Sequence, residues 1–252
     1  AVLRRPAGVG HADHEASVGE LIQTVKLMSE VKVIRRWPRA GRKPELAPAA
    51  EAHRAEAGAK VKVIAIGAST GGPPVLQTIL AALPPDFPVP LLIVQHMAAG
   101  FTQGFVQWLS QTSSLPVHLA AHDEPVRAGH VYVAPDEFQM RVERDGKIVL
   151  SKDAPENGLR PSVSYLLRSV GAVYARDAVA GLLTGMGRDG AAELKLLRDQ
   201  GAITFAQDQE SSVVHGMPGA AIQLDAATFI LPPEKIPAML TNLARKASRS
   251  DP

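Results

Sequence analysis

The stretch Val61–Pro74 constrains the fold of this chain more than any other feature. It begins with an apolar run rich in β-branched residues, which is typical of a buried strand in a parallel sheet. A turn with three glycines follows, and two consecutive prolines then suit the first turn of a helix, where a backbone N–H has no partner. The stretch therefore predicts a strand, a tight turn and a helix, with Ser69 in the turn.

The turn Gly67–Gly71 reads G-x-S-x-G, a pattern that lifts a serine hydroxyl above the end of a sheet. The following helix would offer free N–H groups to an oxyanion, and the N–H of Thr70, directly after the serine, suits that position. A glycine-rich turn without chemistry and a phosphate-cradling turn are alternatives. The spacing does not give G-x-G-x-x-G, and no Lys-Ser or Lys-Thr pair marks a P-loop. This turn alone leaves a catalytic serine and the two alternatives open.

Composition sets the class of protein. The chain has 252 residues, 46% of them hydrophobic, which is enough for one large α/β domain or two small ones. No apolar run approaches about 20 residues, so we expect no membrane insertion. No secretory signal is visible, and the absence of cysteine excludes disulfides, thiolate metal sites and cysteine nucleophiles. We expect a cytoplasmic protein.

The first 60 residues differ from the rest. They carry 11 Lys and Arg against 7 Asp and Glu, a net charge of +4, whereas the remainder carries 16 against 18, a net −2. A capping box at Ser17–Glu20 and an apolar stripe after it predict a helix. Residues 1–36 resemble the last strand and helix of a response-regulator receiver domain, although Arg5-Pro6 replaces the Lys-Pro pair of that family.

Residues 37–60 have the composition of a linker, rich in Pro, Ala, Glu and Arg. The basic run from Lys32 to Lys43 contains no acid, so a nucleic-acid patch is one interpretation. The surrounding prolines favour a solvated spacer, and we expect no nucleic-acid partner.

From Val61 onward, buried strands alternate with helices, and this order predicts an α/β fold. We expect a doubly wound, mostly parallel sheet with helices on both faces, a three-layer sandwich. An Asp-Gly turn at 145–146 adds a β-hairpin. The predicted strands after the first are Leu91–Gln95, Val131–Ala134, Ala178–Leu183 and Ala202–Ala206, and the predicted helices are Val75–Ala82, Phe101–Leu109, one from Pro161 through Val170, and Ala191–Asp199.

Three chemically useful residues, Ser69, His96 and Asp189, are predicted to follow strands directly. Because parallel strands end at the same edge, we expect the three to meet there. A serine becomes a nucleophile when a base takes its proton, and a carboxylate orients that base. His96 could instead be a satisfied histidine at a strand end, and Asp189 could cap the next helix. No metal-binding pattern is present, and we expect no cofactor.

Several motifs that occur in this order carry a family resemblance: Ile66–Gly72, Gln95–Met97, Gly100–Thr102, Ala134-Pro135, Arg160–Val163, Leu183–Ala191 and Val214–Pro218. Together they resemble the catalytic domain of the bacterial chemotaxis receptor methylesterases of the CheB type. The likeness runs from about residue 61 to about residue 240, and we assign the catalytic domain to residues 61–245.

The resemblance implies a hydrolase that removes γ-methyl esters from glutamates of methyl-accepting chemoreceptors, and deamidates glutamines, without metal or cofactor. It further implies a histidine kinase as partner through a full receiver domain, where one is present. The residues it assigns are a triad of Ser69, His96 and Asp189, with Thr70, Met186 and Arg160 as oxyanion or substrate-contact candidates. A non-catalytic adaptor or a nucleotide-binding module on the same fold is the alternative.

Overall fold

The computed structural model describes residues 60–248, with side chains up to residue 245. The predicted receiver-like segment (1–36) lies outside the described residues, as does the predicted linker (37–60) apart from Lys60. None of the helices within the described range is long and apolar enough to cross a membrane.

The described chain contains ten strands and six helices. The strands are β1 Val63–Ala68, β2 Leu91–Gln95, β3 Val117–Leu119, β4 Glu124–Pro125, β5 Val131–Val133, β6 Gln139–Val142, β7 Lys147–Ser151, β8 Ala178–Leu182, β9 Ile203–Gln207 and β10 Phe229–Leu231. The helices are α1 Gly72–Ala81, α2 Thr102–Ser110, α3 Val163–Tyr174, α4 Ala191–Asp199, α5 Met217–Gln223 and α6 Ile236–Ser248. Two short 3₁₀ turns, Ala175–Asp177 and Pro233–Lys235, precede β8 and α6.

Seven strands form one sheet in the order β10-β9-β8-β1-β2-β5-β3, and every neighbouring pair is parallel. The remaining strands form a small antiparallel sheet in the order β4-β7-β6, which includes the predicted hairpin. The predicted α/β fold with a mostly parallel sheet is confirmed. From β1 the chain moves to β2 on one side and returns later to β8 on the other, so β1 marks the topological switch point where such folds bind ligands.

The side chains of β1 show why the sheet is covered on both faces. Ile64 and Ile66 are fully buried and pack in a cluster with α1, α2 and α6. Val63 and Ala65 point the other way and pack with α3, α4 and α5. Because successive side chains of a strand alternate between faces, an unbroken apolar strand needs a helical layer on each side. Burying each isoleucine contributes about 1.5–3 kcal/mol.

Local patterns predicted most strands and four of the six helices. Helix α3 begins at Val163, two residues after the predicted start at Pro161. The sequence analysis did not predict the strands β3, β4 and β10, which have two or three residues each, or the helices α5 and α6. Strands this short present too few alternating residues to define a period.

Candidate active site

Ser69 lies directly after β1, at the switch point of the sheet. Its backbone N–H donates to the carbonyl of Thr184 at 3.0 Å, and its carbonyl accepts from the N–H of Gly72 at 2.8 Å. Gly71 completes the turn with φ +81°, a left-handed conformation that glycine adopts without strain. These contacts hold the predicted strand–turn–helix corner in place and set the position of the serine.

Gly185 lies against the serine from the loop that follows β8. A Cβ atom at this position would come within 2.6 Å of Ser69 Cβ and 2.6 Å of Met217 Sδ, so only glycine fits. The next residue, Met186, has 77% of its surface exposed. The close approach of Gly185 therefore brings an exposed apolar side chain into the neighbourhood of Ser69.

His96 lies directly after β2, and its N–H donates to the carbonyl of Ala68 at 2.8 Å. Its ring is nearly buried, with 10% of the side chain exposed, and Nε2 lies 2.9 Å from Oδ2 of Asp189. With Nε2 turned toward Asp189, Nδ1 is the ring nitrogen available to another group. Ser69 Oγ makes no hydrogen bond with any described residue, including His96. Catalytic hydrogen bonds of this kind are often long in unliganded enzymes.

Asp189 does not directly follow a strand, and this corrects the sequence analysis. Strand β8 ends at Leu182, and residues 183–188 form a loop before Asp189. Nor does Asp189 cap the helix that it precedes, because the N-cap of α4 is Gly190 and no side chain caps that helix. The carboxylate turns instead toward the first turn of α3, which explains why a local pattern could not predict its partners.

The carboxylate of Asp189 accepts hydrogen bonds from one side chain and two backbone groups of α3. Oδ2 accepts from the N–H of Val163 at 2.7 Å, and Oδ1 accepts from Ser162 Oγ at 2.9 Å and from the N–H of Ser164 at 3.1 Å. Burial by itself raises the pKa of this carboxyl, but the His96 imidazole beside it and the hydrogen bonds from Ser164 and Val163 outweigh burial and lower the pKa of Asp189 to about 2. The group is therefore ionised at neutral pH.

A further hydrogen bond network supports the loop that holds Asp189. Ser164 Oγ accepts from the N–H of Gly190 at 2.9 Å and donates to Glu193 Oε2 at 2.7 Å. Arg168 bonds to Glu193 and Glu156, and these contacts raise the pKa of its guanidinium. The C-terminal end of the loop before α4 is thus fastened to the start of α3, and the direction of the Asp189 side chain is defined.

Thr70 and Arg160, the other predicted site residues, have different surroundings. Thr70 is exposed, its carbonyl accepts from Thr184 Oγ1 at 2.9 Å, and its backbone N–H donates to no other described residue. That N–H is free to bind a ligand.

Arg160 Nη1 lies 3.3 Å from the carbonyls of Lys152 and Asp153, so its hydrogen bonds within the described chain go to the segment after β7. Within the described residues, Arg160 makes no hydrogen bond or ion pair with Ser69 or His96.

Sequence reasoning missed three polar residues that organise this site: Gln95, Ser162 and Ser164. All three are buried, with at most 4% of their surface exposed. A polar residue at the carboxyl end of an otherwise apolar strand was the available signal for Gln95. The two serines lie within or beside a recognised motif, but their bonds to Asp189 depend on how α3 packs.

The edge of the sheet thus joins a hydroxyl in a tight turn, a free N–H beside it, and an imidazole paired with a buried carboxylate. This set of groups can carry out acyl transfer. Within residues 60–248, no group of three or more His, Asp or Glu side chains is placed to hold a metal ion.

Comparison with known proteins gives one consistent result. The model of the family described as CheB methylesterase matches residues 64–240. A protein-glutamate methylesterase/protein-glutamine glutaminase of Nitrosospira multiformis is 62% identical over 96% of this chain and 68% of its own length. One from Geobacter metallireducens is 57% identical over 96% of this chain and 70% of its own. The crystal structure of the Thermotoga maritima CheB methylesterase catalytic domain superposes with a TM-score of 0.70 at 39% identity, covering 73% of this chain and 98% of that one.

Proposed function

This chain belongs to the CheB methylesterase family, and we propose that it hydrolyses glutamate γ-methyl esters on methyl-accepting chemoreceptors and deamidates glutamines of the same proteins. Ser69 is the nucleophile, His96 its general base, and Asp189 the carboxylate that orients the base. Thr70 supplies an oxyanion N–H, and Met186 contacts the substrate. Arg160 remains a proposed substrate contact.

One observation carries the assignment of the residues. His96 Nε2 lies 2.9 Å from the ionised carboxylate of Asp189, at the same sheet edge as Ser69. A buried carboxylate with a low pKa fixes the tautomer of the imidazole and stabilises its cation without taking its proton. Because Nε2 faces Asp189, Nδ1 is the nitrogen that receives the serine proton.

The first half of the reaction forms a covalent intermediate. Ser69 Oγ attacks the ester carbonyl while His96 Nδ1 takes its proton, and the carbonyl oxygen becomes an oxyanion beside the free N–H of Thr70. The tetrahedral adduct then collapses. The bond to the methoxy group breaks, His96 returns the proton to that oxygen, and methanol leaves.

The second half restores the enzyme. Water attacks the glutamyl–serine ester, and His96 takes a proton from the water. The new adduct collapses with return of that proton to Ser69 Oγ, which releases a glutamate side chain. With glutamine as substrate the same steps expel ammonia instead of methanol, so one site serves both reactions.

A non-catalytic adaptor or a nucleotide-binding module on the same fold is the competing interpretation. Neither has a use for a buried carboxylate held against a histidine at the edge that carries Ser69. A nucleotide-binding module would also need a phosphate-binding fingerprint in the first turn, and the sequence of this turn does not match one.

Two measurements test the proposal. The chain is incubated with a methylated chemoreceptor and the released methanol is measured, with Ser69→Ala as control. A fluorophosphonate probe is then added, and the modified residue is identified by mass spectrometry. We expect turnover and labelling at Ser69 in the wild-type chain and neither in the variant. A folded Ser69→Ala variant with near-normal turnover would rule out the assignment.

A further inference from the structure

The side chain of Gln95 joins the two segments that carry Ser69 and His96. Its amide Nε2 lies 2.9 Å from the carbonyl oxygen of Ser69 and 2.7 Å from the carbonyl oxygen of His96. The residue ends strand β2 and has 3% of its surface exposed. One buried amide group therefore holds the backbone of the nucleophile and the backbone of the base at once.

The sheet bonds hold the two strands together only as far as Ala68, the residue before the serine. The parallel ladder of β1 and β2 runs to the pair Ala68 and Gln95, and the bond from the His96 N–H to Ala68 follows. Beyond it the two chains separate, one into the tight turn and the other into a loop. Among the described residues, Gln95 Nε2 is the group that bonds to the His96 carbonyl.

An amide is the side-chain group that suits this place. It has two N–H hydrogens for two carbonyl oxygens and it adds no charge beside the pair of His96 and Asp189. The opposite orientation of the amide would set its oxygen against both carbonyls, so the hydrogen bonds define which atom is nitrogen.

The amide oxygen of Gln95 shows that packing alone does not explain why a glutamine occupies this position. Gln95 Oε1 is buried and has no hydrogen bond partner among residues 60–248, and an unpaired buried acceptor destabilises the folded state. A Cβ atom at Gly72 would come within 2.2 Å of this oxygen, so glycine at the start of α1 makes room for it. An apolar side chain would fill the same space without that cost.

We propose that Gln95 is a positioning residue for the hydrolysis. It sets the separation of the Ser69 and His96 backbones, so that the serine hydroxyl and the imidazole reach reacting distance, and it acts on the rate of acylation instead of on substrate binding. The inference rests on the proposed function, in which these two residues react.

The test compares Gln95→Met, which keeps the length but donates no hydrogen bond, with the wild-type chain. We expect kcat to fall about 10- to 100-fold with KM within about twofold, because misplaced reacting groups slow chemistry without weakening binding. Labelling of Ser69 by the fluorophosphonate, which needs no receptor, should slow by a similar factor. The matched control is Thr204→Val in β9, two strands from β1, which removes a buried hydroxyl bonded to Thr228 and should lower Tm without changing kcat.

Gln95→Glu adds a readout that a purely structural role would not move. Its carboxylate repels both carbonyl oxygens unless it is protonated, so its activity relative to the wild-type chain should rise as the pH falls from 8 to 5. A folded Gln95→Met variant with wild-type kcat and labelling rate, or one changed only in KM, would overturn the inference and leave the proposed function intact. A wild-type chain that neither turns over nor labels at Ser69 would overturn both.

Discussion

Asp189 accepts a 2.7 Å hydrogen bond from the backbone N–H of Val163, at the start of a helix that lies before it in the chain. The carboxylate therefore sits at the positive end of α3, and the same oxygen, Oδ2, lies 2.9 Å from His96 Nε2. The low pKa of Asp189 follows from this position, and so does a measurable dependence of stability on pH.

The first prediction concerns that dependence. The pKa of Asp189 is about 2 in the folded chain against an ordinary value of 3.8, so its stabilisation is complete above the unfolded pKa and is lost as the pH falls through the folded pKa. The difference corresponds to about 2 kcal/mol. Between pH 5.5 and pH 2, the free energy of unfolding should fall by about that much more in the wild-type chain than in Asp189→Asn, measured by urea denaturation. Equal slopes for the two chains would contradict it.

The second prediction is that the proposed triad acts as a unit. His96→Ala should remove nearly all turnover, and the double variant Ser69→Ala/His96→Ala should be no slower than either single variant. Asp189→Asn should lower kcat by about 100-fold or more, because it permits the wrong tautomer of the imidazole. Methanol release from a methylated chemoreceptor measures all three. Additive losses in the double variant would mean that the two side chains do not share one step.

A third prediction concerns Ser162, whose hydroxyl bonds to Asp189 Oδ1. Without this donor the carboxylate bonds more strongly to the imidazolium, so Ser162→Ala should move the acid limb of the kcat/KM profile to higher pH. It should also lower kcat by about 10-fold, because the carboxylate is less well oriented. Ser169→Ala is the matched control, since this serine lies on the same helix and bonds to Val142 and Leu166 instead. An unchanged profile in Ser162→Ala would refute the role.

Gly185 supplies a fourth prediction. In Gly185→Ala the new methyl group would meet Ser69 Cβ and Met217 Sδ at 2.6 Å, so the serine turn must move. We expect at least a 10-fold loss in kcat. Gly104→Ala in α2, where a Cβ meets nothing within 4 Å, should keep full turnover and gain about 0.5–1 kcal/mol of stability. Wild-type kinetics in Gly185→Ala would show that the close approach is unimportant for catalysis.

Met186 supplies a fifth prediction, on substrate binding. Its side chain is 77% exposed beside Gly185, and we propose that it contacts the receptor. Met186→Ala should raise KM several-fold and leave kcat nearly unchanged, because a contact present in both ground and transition states affects binding alone. Leu196→Ala removes a 56% exposed apolar side chain on α4 and should change neither constant. A fall in kcat without a change in KM would place Met186 in the chemistry instead.

The sequence by itself determined the architecture and two of the three proposed triad positions. Apolar runs bounded by turn residues define where β1 and β2 end, and Ser69 and His96 are the next residues after those ends. Parallel strands end at one edge, so their proximity follows from local patterns and a rule of topology. The hairpin around the Asp-Gly turn is equally local, because its register depends on the turn alone.

Only the tertiary structure decided how the site is held together. Asp189 follows a loop, and the direction of its carboxylate depends on N–H groups that α3 presents once that helix packs on the sheet. The bonds of Gln95 to two carbonyls likewise exist only when the ends of β1 and β2 lie side by side. Hydrophobic periodicity records which face of an element is buried, whereas a hydrogen bond between loops depends on positions fixed by the packing of several elements at once.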